Sequence, residues 1–296
     1  MKKTKIEYAD FTSNPVFARQ KGSLQKIGTF CEKPDQNGTC RNCWAESLNL
    51  RFGNGLTFDK KNRHLIEWVF RENELKQLVA LNAKKPRSEK FPGAPALVFC
   101  ADTFDLFQPS VTDPIRDRIF DLYDTLENLI LLIQTTYPAK MNRYFRQRYP
   151  ESLPAHYWIG ISAGTQSFLN QHLTHLFEVR ALVRYVIFEP LLEEIVLNSA
   201  FRHHYAKLPL SEPAQLQKLE WVIIGGESGN KARKCEIDWI RSLVRQRKMI
   251  HQPVFVKQLG KQPGKSVKGN DLDLFPSDLK IREFPEEQNN GNHLPI

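Results

Sequence analysis

The sequence predicts an α/β fold, specifically a partial or closed (β/α) barrel of six to seven parallel strands. Six short segments are apolar at nearly every position, which is typical of parallel strands buried on both faces. Amphipathic segments separate them, and this alternation is typical of βαβ units with right-handed crossovers. An open doubly wound sheet is the alternative, but it usually carries a phosphate-binding glycine loop. No G-x-G-x-x-G or Walker sequence occurs in the chain.

The apolar runs of the predicted strands are the clearest indication of this fold. In chain order they are Ala96–Ala101, Leu129–Gln134, Tyr157–Ser162, Arg184–Glu189, Glu220–Gly225 and Pro253–Gln258. A seventh, N-terminal strand is expected around Lys5–Asp10. The helices expected between them are Asp113–Glu127, Pro138–Arg148, Gln166–Val179 and Ile237–Lys248. Asp113 before Pro114 is expected to cap its helix.

Two irregular stretches interrupt this alternation and define the predicted organisation of the chain. Residues 1–260 are expected to form the barrel domain, in which residues 16–43 form a polar loop that carries cysteines. Residues 261–296 are rich in Pro, Gly, Asn and charge, so we expect an irregular C-terminal tail over the barrel with a frayed end.

Composition narrows the classes of protein. The 296 residues are 41% hydrophobic and 25% charged, as in a soluble globule with a core. No run approaches the roughly 18 apolar residues of a membrane span, and the N-terminus lacks the apolar segment of a secretory signal. We therefore expect a cytoplasmic protein without a membrane partner. The 42 Lys and Arg against 33 Asp and Glu give a net charge of +9, which favours polyanionic partners such as nucleic acid or nucleotides.

Cys31, Cys40 and Cys43 carry the strongest chemical signal, as a C-x8-C-x2-C pattern. A C-x2-C pair places two thiolates close enough to bind one metal, and five cysteines in a long chain argue against a disulfide scaffold. The helix expected from Trp44 would begin at Cys43, where its dipole favours the thiolate. Three explanations stay open: a [4Fe–4S] cluster with one open iron, three unrelated thiols, or a zinc site whose fourth ligand is Cys100, Cys235 or His64.

Polar residues stand at the carboxyl end of every predicted strand, where (β/α) barrels place their chemistry. They are Asp102, Thr103, Asp105, Gln134, Thr135, Thr136, Ser162, Thr165, Glu189, Glu227, Ser228, Lys257 and Gln258. Glu189 follows an apolar run directly, and a buried acid needs a partner, for which Lys257 is the expected residue. The adjacent glycines of Gly225–Gly229 predict a ligand-binding loop, with a tight strand-to-helix turn as the alternative.

A basic and aromatic segment, MNRYFRQRYP, is the main sequence indication of nucleic-acid binding. Arginines interleaved with aromatic residues hold phosphates and stack bases. The alternative is a helix whose aromatic residues belong to the core. The residues concerned are Arg143, Tyr144, Phe145, Arg146, Arg148 and Tyr149.

Collinear motifs resemble one family from about Lys5 to Gly260. They are Lys5–Tyr8 with Asn14–Val16, Cys40–Glu46, Asp105–Phe107, Trp158–Ser162, Phe188–Leu192, Trp221–Gly229 and Phe255–Gly260. Together they resemble the phage gene-product-thirty-seven/sixty-eight family of phages and mobile bacterial elements, which itself resembles radical S-adenosylmethionine (SAM) enzymes.

That resemblance implies a partial (β/α)6 barrel with a [4Fe–4S] cluster on Cys31, Cys40 and Cys43. The open iron would bind SAM, whose reductive cleavage gives a 5′-deoxyadenosyl radical. The implied partners are a nucleic acid or nucleotide substrate, a reductant protein and a phage or mobile-element protein. The implied SAM contacts are Asn42, Ser162, Gly225, Gly226, Glu227 and Ser228, and the implied catalytic residues are Glu189, Lys257 and Asp105.

The sequence departs from this pattern at four places. The stretch Phe17–Phe30 resembles an insertion before Cys31, and the other three departures are local. Eight residues rather than three separate Cys31 from Cys40, Gln134–Pro138 replaces a sequence resembling Thr-Lys-Arg-Pro, and Gly164-Thr165 replaces Glu-Asn. These departures leave two alternatives. One is a non-catalytic phage-associated nucleic-acid-binding or accessory protein with a structural Fe–S or zinc site. The other is a metal-dependent hydrolase that uses Asp102, Asp105 and Glu189.

Overall fold

The structure, a computed structural model, describes residues 1–33, 38–205, 219–229, 231–260 and 269–286. Its strands are β1 (Phe11–Ser13), β2 (Val16–Gln20), β3 (Ile27–Gly28), β4 (Ile66–Phe70), β5 (Ala96–Cys100), β6 (Leu129–Thr135), β7 (Tyr157–Ser162), β8 (Val183–Phe188), β9 (Trp221–Gly225) and β10 (Val254–Gln258). Its α-helices are α1 (Trp44–Phe52), α2 (Glu72–Ala83), α3 (Asp113–Tyr123), α4 (Pro138–Arg148), α5 (Gln166–Phe177), α6 (Leu197–Tyr205) and α7 (Ile237–Lys248). None of the helices described is long and apolar enough to span a bilayer.

The large sheet confirms the predicted partial (β/α) barrel. Seven strands run parallel in the order β1-β5-β6-β7-β8-β9-β10 and curl into a half-barrel flanked by helices. The six apolar runs each became a strand because both faces of every strand are buried. The N-terminal strand was expected too early, since it pairs with β5 only from Phe11, opposite Val98. Thr112, rather than the expected Asp113, is the N-cap of α3.

Two hydrophobic layers form on the two faces of this sheet. One face packs against the helices and holds the larger core. The other face, which lines the concave side of the half-barrel, holds a mainly aromatic cluster around Tyr8, Trp158, Tyr185, Trp221 and Phe255. Aromatic and aliphatic side chains therefore fill the lower interior, and several of the polar side chains predicted from the sequence stand at the carboxyl ends of the strands. We call this end the barrel mouth.

The region 16–43 is more ordered than the expected loop. Its beginning forms β2 and β3, which join β4 in an antiparallel sheet of order β3-β2-β4. The expectation of an irregular loop was wrong here because the partner strand β4 lies about fifty residues further along the chain. We call the stretch that carries Cys31, Cys40 and Cys43 the cysteine segment. Cys31 and Cys43 pack against a small core of Ala18, Phe30, Ala45, Phe58 and Ile66.

The described part of the C-terminal tail, 269–286, contains only short 3-10 turns and one bridge from Arg282 to Phe255. It nevertheless contributes to the core, since Phe275 and Leu279 are buried and Phe284 stacks on Phe91 at 4.9 Å. The expected frayed end, 287–296, lies outside the described residues.

Candidate functional site

The three cysteines lie in one place beside the barrel mouth. Cys40 ends a 3-10 turn, Cys43 is the N-cap of α1, and none of the three forms a disulfide. Burial raises the pKa of the Cys31 thiol, and the charges of Asp105, Cys40 and Cys43 raise it further. Burial, then Cys43 and Asp105, raises the pKa of Cys40 to about 12. The thiols are therefore close enough that ionisation of one opposes ionisation of the next.

Sulfur ligands suit a thiophilic metal, and three neighbouring, half-buried thiolates would need a compensating cation. Burial raises the pKa of Cys43, but backbone N–H groups of Glu46 and Ala45 at the start of α1 and the charge of Lys33 oppose that rise. Across the described residues, however, no three or more His, Cys, Asp or Glu side chains stand at metal-ligand spacing. The sulfurs are thus neighbours rather than a formed ligand set.

The other two cysteines occupy cores. Cys100 lies in β5 with its Sγ 3.6 Å from the Val98 carbonyl, as expected for a small buried hydrophobe. Cys235 was expected to be exposed or half-buried, but it is 1% exposed because it packs behind Gly226.

Asp105 stands beside Cys31 at the end of β5, and its carboxylate accepts four hydrogen bonds. Oδ1 accepts from the Thr135 hydroxyl at 2.6 Å and from the Phe107 N–H at 2.9 Å. Oδ2 accepts from the Thr136 N–H at 2.7 Å and from its hydroxyl at 2.9 Å. Burial still raises the pKa of Asp105 above its usual range despite these donors. Through these hydrogen bonds Asp105 connects the loop after β5 to the end of β6 next to the cysteines.

Glu32, which the sequence reasoning missed, fixes the cysteine segment from the other side. It is 2% exposed, accepts a hydrogen bond from the Ser110 N–H at 2.7 Å and pairs with Arg63. The Tyr137 hydroxyl donates to the Glu32 carbonyl. Its position next to Cys31 was the only indication in the sequence. A glutamate between polar neighbours is usually exposed to solvent, so the sequence does not predict that Glu32 is buried.

Glu227, after β9, ties the barrel mouth to the cysteine segment. Its carboxylate accepts from Arg233 Nε at 2.9 Å, Arg233 Nη2 at 2.7 Å and the Arg233 N–H at 2.7 Å. Asn42 Nδ2 donates to the same carboxylate at 3.1 Å, and Arg233 Nη1 donates to the Gly38 carbonyl at 2.7 Å. Burial alone would raise the pKa of Glu227, but these hydrogen bonds lower it below its usual value. We call Asn42, Glu227 and Arg233 the latch.

The glycines of the predicted ligand loop are required for packing. A Cβ on Gly226 would lie 2.7 Å from the Gly260 Cα, and one on Gly225 would lie 3.2 Å from Glu189 Cγ. The Gly226 N–H also donates to the Gln258 carbonyl at 3.1 Å. The tight-turn alternative therefore accounts for Gly226, while Ser228 stays exposed at the tip of the loop.

Glu189 and Lys257 form the pair expected from the sequence. Lys257 Nζ lies 2.6 Å from Glu189 Oε1, and both side chains are 17% exposed. The Tyr8 ring lies 5.8 Å from the same ammonium group. The pair places two half-buried opposite charges at the ends of β8 and β10, on the concave side of the mouth.

The loop after β7 touches the cysteine segment directly. Ser162 at the end of β7 is buried, and a Cβ on Gly164 would lie 2.6 Å from Thr39 Cγ2. A Cβ on Gly164 would also lie 2.7 Å from the Pro190 carbonyl oxygen, so the backbone itself leaves no room for the glutamate that the resemblance implies at this place. This is a physical reason for one departure from the resembled pattern.

The structure does not support the hypothesis of a metal-dependent hydrolase. Asp102 accepts a 2.5 Å hydrogen bond from Asn14, Asp105 lies by Cys31 and Glu189 pairs with Lys257, so each hydrolase acid has separate surroundings. The described residues bring no such acid trio to metal-ligand spacing.

The MNRYFRQRYP segment forms a helix whose aromatic residues belong to the core, which is the alternative to nucleic-acid binding. Tyr144 and Phe145 are buried, and Arg148 is paired with Asp121 and Asp124, so these groups are not available for base stacking or phosphate binding. Arg143 and Arg146 remain exposed on α4.

The fold and the site together define a partial (β/α)-barrel protein whose three-cysteine segment is latched to the barrel mouth. A family model described as "Protein of unknown function (DUF5131)" matches residues 3–280, and the chain belongs to this family. No curated protein and no solved structure matches the chain.

Proposed function

We propose that the protein is a radical-SAM-type iron–sulfur enzyme that modifies a nucleic acid or nucleotide. The observation that carries the proposal is the common position of the three cysteines beside the mouth of a partial (β/α) barrel. Cys31 and Cys43 pack against one small core, and Cys40 ends the 3-10 turn that precedes α1. Three thiolates leave one iron of a [4Fe–4S] cluster without a protein ligand. With SAM at that iron and one electron from a reductant protein, the cluster supplies reductive cleavage of SAM.

The chain's own residues supply position and polarity around this centre. The latch keeps Asn42, and with it the C-x2-C segment, against the loop after β9. Glu189 and Lys257 present paired opposite charges to the concave side, where a zwitterionic or polar ligand group can exchange partners with them. Gln134 Oε1 is a buried acceptor without a hydrogen-bond partner at the end of β6. A ligand N–H or O–H at the mouth would satisfy that acceptor.

The substrate class rests on charge. The chain carries a net charge of +9, and Arg143 and Arg146 are exposed in the second half of α4. A polyanion is attracted to such a surface, and its attraction falls as salt increases.

Anaerobic reconstitution tests the proposal, with iron, sulfide and zinc counted per chain. About four irons and a SAM-dependent change in the EPR spectrum of the reduced protein are expected. Cys40→Ala should lose the iron and keep the circular dichroism of the barrel. Cys100→Ala is the matched control, since Cys100 lies in the core of β5 and its removal should keep the iron. Unchanged iron in Cys40→Ala contradicts the ligand assignment.

A second candidate is a non-catalytic nucleic-acid-binding or accessory protein with a structural metal. The close packing of Gly164 on Thr39 and Pro190 supports this candidate, because it leaves no room for the glutamate that the resembled phage family carries at this place. About one zinc and no iron per chain would favour this candidate.

A further inference from the structure

The helix that follows the cysteines exposes planar side chains. Trp44 and Phe52 of α1 are 56% and 76% exposed, and the guanidinium group of Arg51 lies over the Phe52 ring at 5.6 Å. Trp44 and Arg51 are seven positions apart, which is close to two helical turns, so they lie on the same side of α1. We call Trp44 and the Arg51–Phe52 pair the two platforms. They stand about 10 Å apart along the helix axis.

The segment after α1 folds back against the helix. The Phe58 N–H donates to Glu46 Oε1 at 2.8 Å, and Asn49 Nδ2 donates to the Leu56 carbonyl at 2.9 Å. The 3-10 turn Lys60–Leu65 begins two residues after Phe58, so its first Cα lies within about 8 Å of the Phe58 Cα. The basic residues of that turn therefore lie close to α1.

Positive charge predominates around the platforms. Residues 41–64 contain two acids, Glu46 and Asp59, and each of them is paired with a lysine. The exposed basic residues of the same stretch outnumber these acids, and they are Arg41, Arg51, Lys60, Lys61 and Arg63. A surface with this balance of charge attracts a polyanion, and the attraction weakens as salt increases.

The planar groups indicate which polyanion fits. Unpaired bases stack on aromatic rings and on guanidinium planes, largely independently of their sequence. The bases of a duplex are stacked on one another, so a duplex offers its phosphates and groove edges but no free base faces. Three of the six exposed residues of α1 carry a plane. The leucines among them, Leu48 and Leu50, carry none and suit an apolar protein groove, which is the competing occupant.

The position of the helix indicates where a bound strand runs. Cys43 is the N-cap of α1, and Asn42 is hydrogen-bonded to Glu227 after β9, so Trp44 stands next to the barrel mouth. The separation of the two platforms corresponds to about three stacked bases. We propose that α1 binds single-stranded nucleic acid, with unpaired bases stacked on the two platforms and phosphates along the flanking basic residues. This inference rests on the nucleic-acid part of the proposed function, and it requires neither a metal nor SAM.

The experiment uses the full chain and a short labelled oligonucleotide in three forms, namely a single strand, its duplex and an abasic strand of equal length. The abasic strand keeps the phosphates and lacks the bases. Binding is measured by fluorescence anisotropy of the label. Tryptophan fluorescence is a second readout, because Trp44 alone is exposed among the five tryptophans, all of which lie in the described residues.

The variants separate stacking from charge and from apolar burial. The stacking variants are Trp44→Ala, Phe52→Ala and the conservative Trp44→Phe, and the charge variant is Arg51→Glu. Leu50→Ala is the matched control for apolar burial, since Leu50 is 46% exposed on the same helix and has no plane. Lys76→Glu, on the exposed side of α2, is the matched control for charge.

Stacking on the two platforms predicts a distinct pattern of affinities. The wild type should bind the single strand more tightly than the duplex or the abasic strand, and binding should quench its tryptophan fluorescence. Trp44→Ala and Phe52→Ala should each weaken single-strand binding at least about fivefold, the smallest loss expected for one stacked base. Trp44→Phe should keep most of the affinity, because it keeps a ring.

The salt dependence gives an independent prediction. Arg51→Glu should weaken binding and make its dependence on salt shallower, because a phosphate contact is lost. Trp44→Ala should leave the salt dependence unchanged, because stacking releases no counterions. The two matched controls should stay within about twofold of the wild type.

Other results overturn the inference. Equal affinity for the single strand and the abasic strand means that charge alone binds. Loss of binding in the double variant Arg143→Glu with Arg146→Glu, with wild-type binding in the α1 variants, moves the polyanion to α4. A loss in Leu50→Ala as large as that in Trp44→Ala shows an apolar surface of the kind that a protein covers. Absence of single-strand binding by the wild type also removes the inference.

Iron content and the SAM-dependent EPR signal, measured on the same preparation, report separately on the proposed function. Platform-dependent binding of the single strand without iron supports this inference while the proposed enzyme fails. Iron and a response to SAM without single-strand binding overturn this inference and leave a nucleotide as the substrate.

Discussion

Replacement of Arg233 by methionine tests the latch at the barrel mouth. The change removes the two side-chain donors to Glu227, at 2.9 and 2.7 Å, and the 2.7 Å hydrogen bond to the Gly38 carbonyl. Glu227 is 6% exposed, so its carboxylate cannot turn to bulk water. The Arg233 N–H and Asn42 still donate to it.

The expected loss of stability follows from the hydrogen bonds that are removed and those that remain. Removing one partner of a buried pair costs about 3–5 kcal/mol, and a hydrogen bond to a charged group contributes about 1.5–3 kcal/mol. The Arg233 side chain is 26% exposed and two donors remain, so we expect the lower end, about 2–3 kcal/mol. For a chain of this size that free energy lowers the melting temperature by about 3–5 °C.

The pH dependence has a definite sign. Because the folded protein lowers the pKa of Glu227, the carboxylate contributes stability above its ordinary pKa of about 4.3. That contribution is lost as the pH falls through the lowered folded value. The difference between wild type and Arg233→Met should therefore be full at pH 7 and should shrink as the pH falls below 4.

Thermal unfolding followed by circular dichroism from pH 3 to pH 8 measures both effects. Lys234→Met is the matched control, because its partner Glu236 lies 2.5 Å away but the Lys234 side chain is 71% exposed. Such surface pairs contribute about 0–1 kcal/mol, so the control should shift the melting temperature by less than about 2 °C. Equal shifts for the two variants, or a difference that does not change with pH, would refute the latch.

Three further predictions concern the rest of the mouth. Lys257→Met should destabilise the protein by about 2–3 kcal/mol. The double variant with Glu189→Gln should lose less stability than the sum of the two single variants, as measured by a double-mutant cycle of urea unfolding. Additive losses would contradict the ion pair. Glu189→Gln should also weaken SAM binding to the reconstituted protein, and unchanged calorimetric affinity would remove Glu189 from the ligand site. Gly226→Ala should cost about 2 kcal/mol or more, because the new Cβ meets the Gly260 backbone rather than a movable side chain, and a native melting temperature would contradict this close packing.

The strands of the half-barrel were predictable because their signal is local. A strand buried on both faces must be apolar at successive positions, and the segment from Leu129 to Ile133 shows this without knowledge of its neighbours. The same holds for α4, which Pro138 opens and which ends at Arg148, as expected. β2 was not predicted because its five residues pair with a strand about fifty positions away and show no continuous apolar run.

The site was predictable only in part. Polar residues at strand ends indicated Glu189 and Lys257, and their pairing followed from the rule that a buried charge needs a partner. Glu32 gave no such signal, because its burial depends on Ser110 and on a tyrosine hydroxyl from another loop. The adjacent glycines after β9 indicated a close approach of the backbone to another group. The sequence alone could not show whether that group is another part of the backbone or a ligand.

The sequence by itself determined the parallel strands, the positions of Cys31, Cys40 and Cys43, and the polar ends of the barrel strands, because each depends on residues adjacent in the chain. Tertiary structure alone decided which side chains meet. The Asn42 amide reaches Glu227 across 185 positions, and Gly38 reaches Arg233 across 195. Contacts at such separation leave no trace in local periodicity, since they depend on how the sheet curls and where the cysteine segment folds back over it.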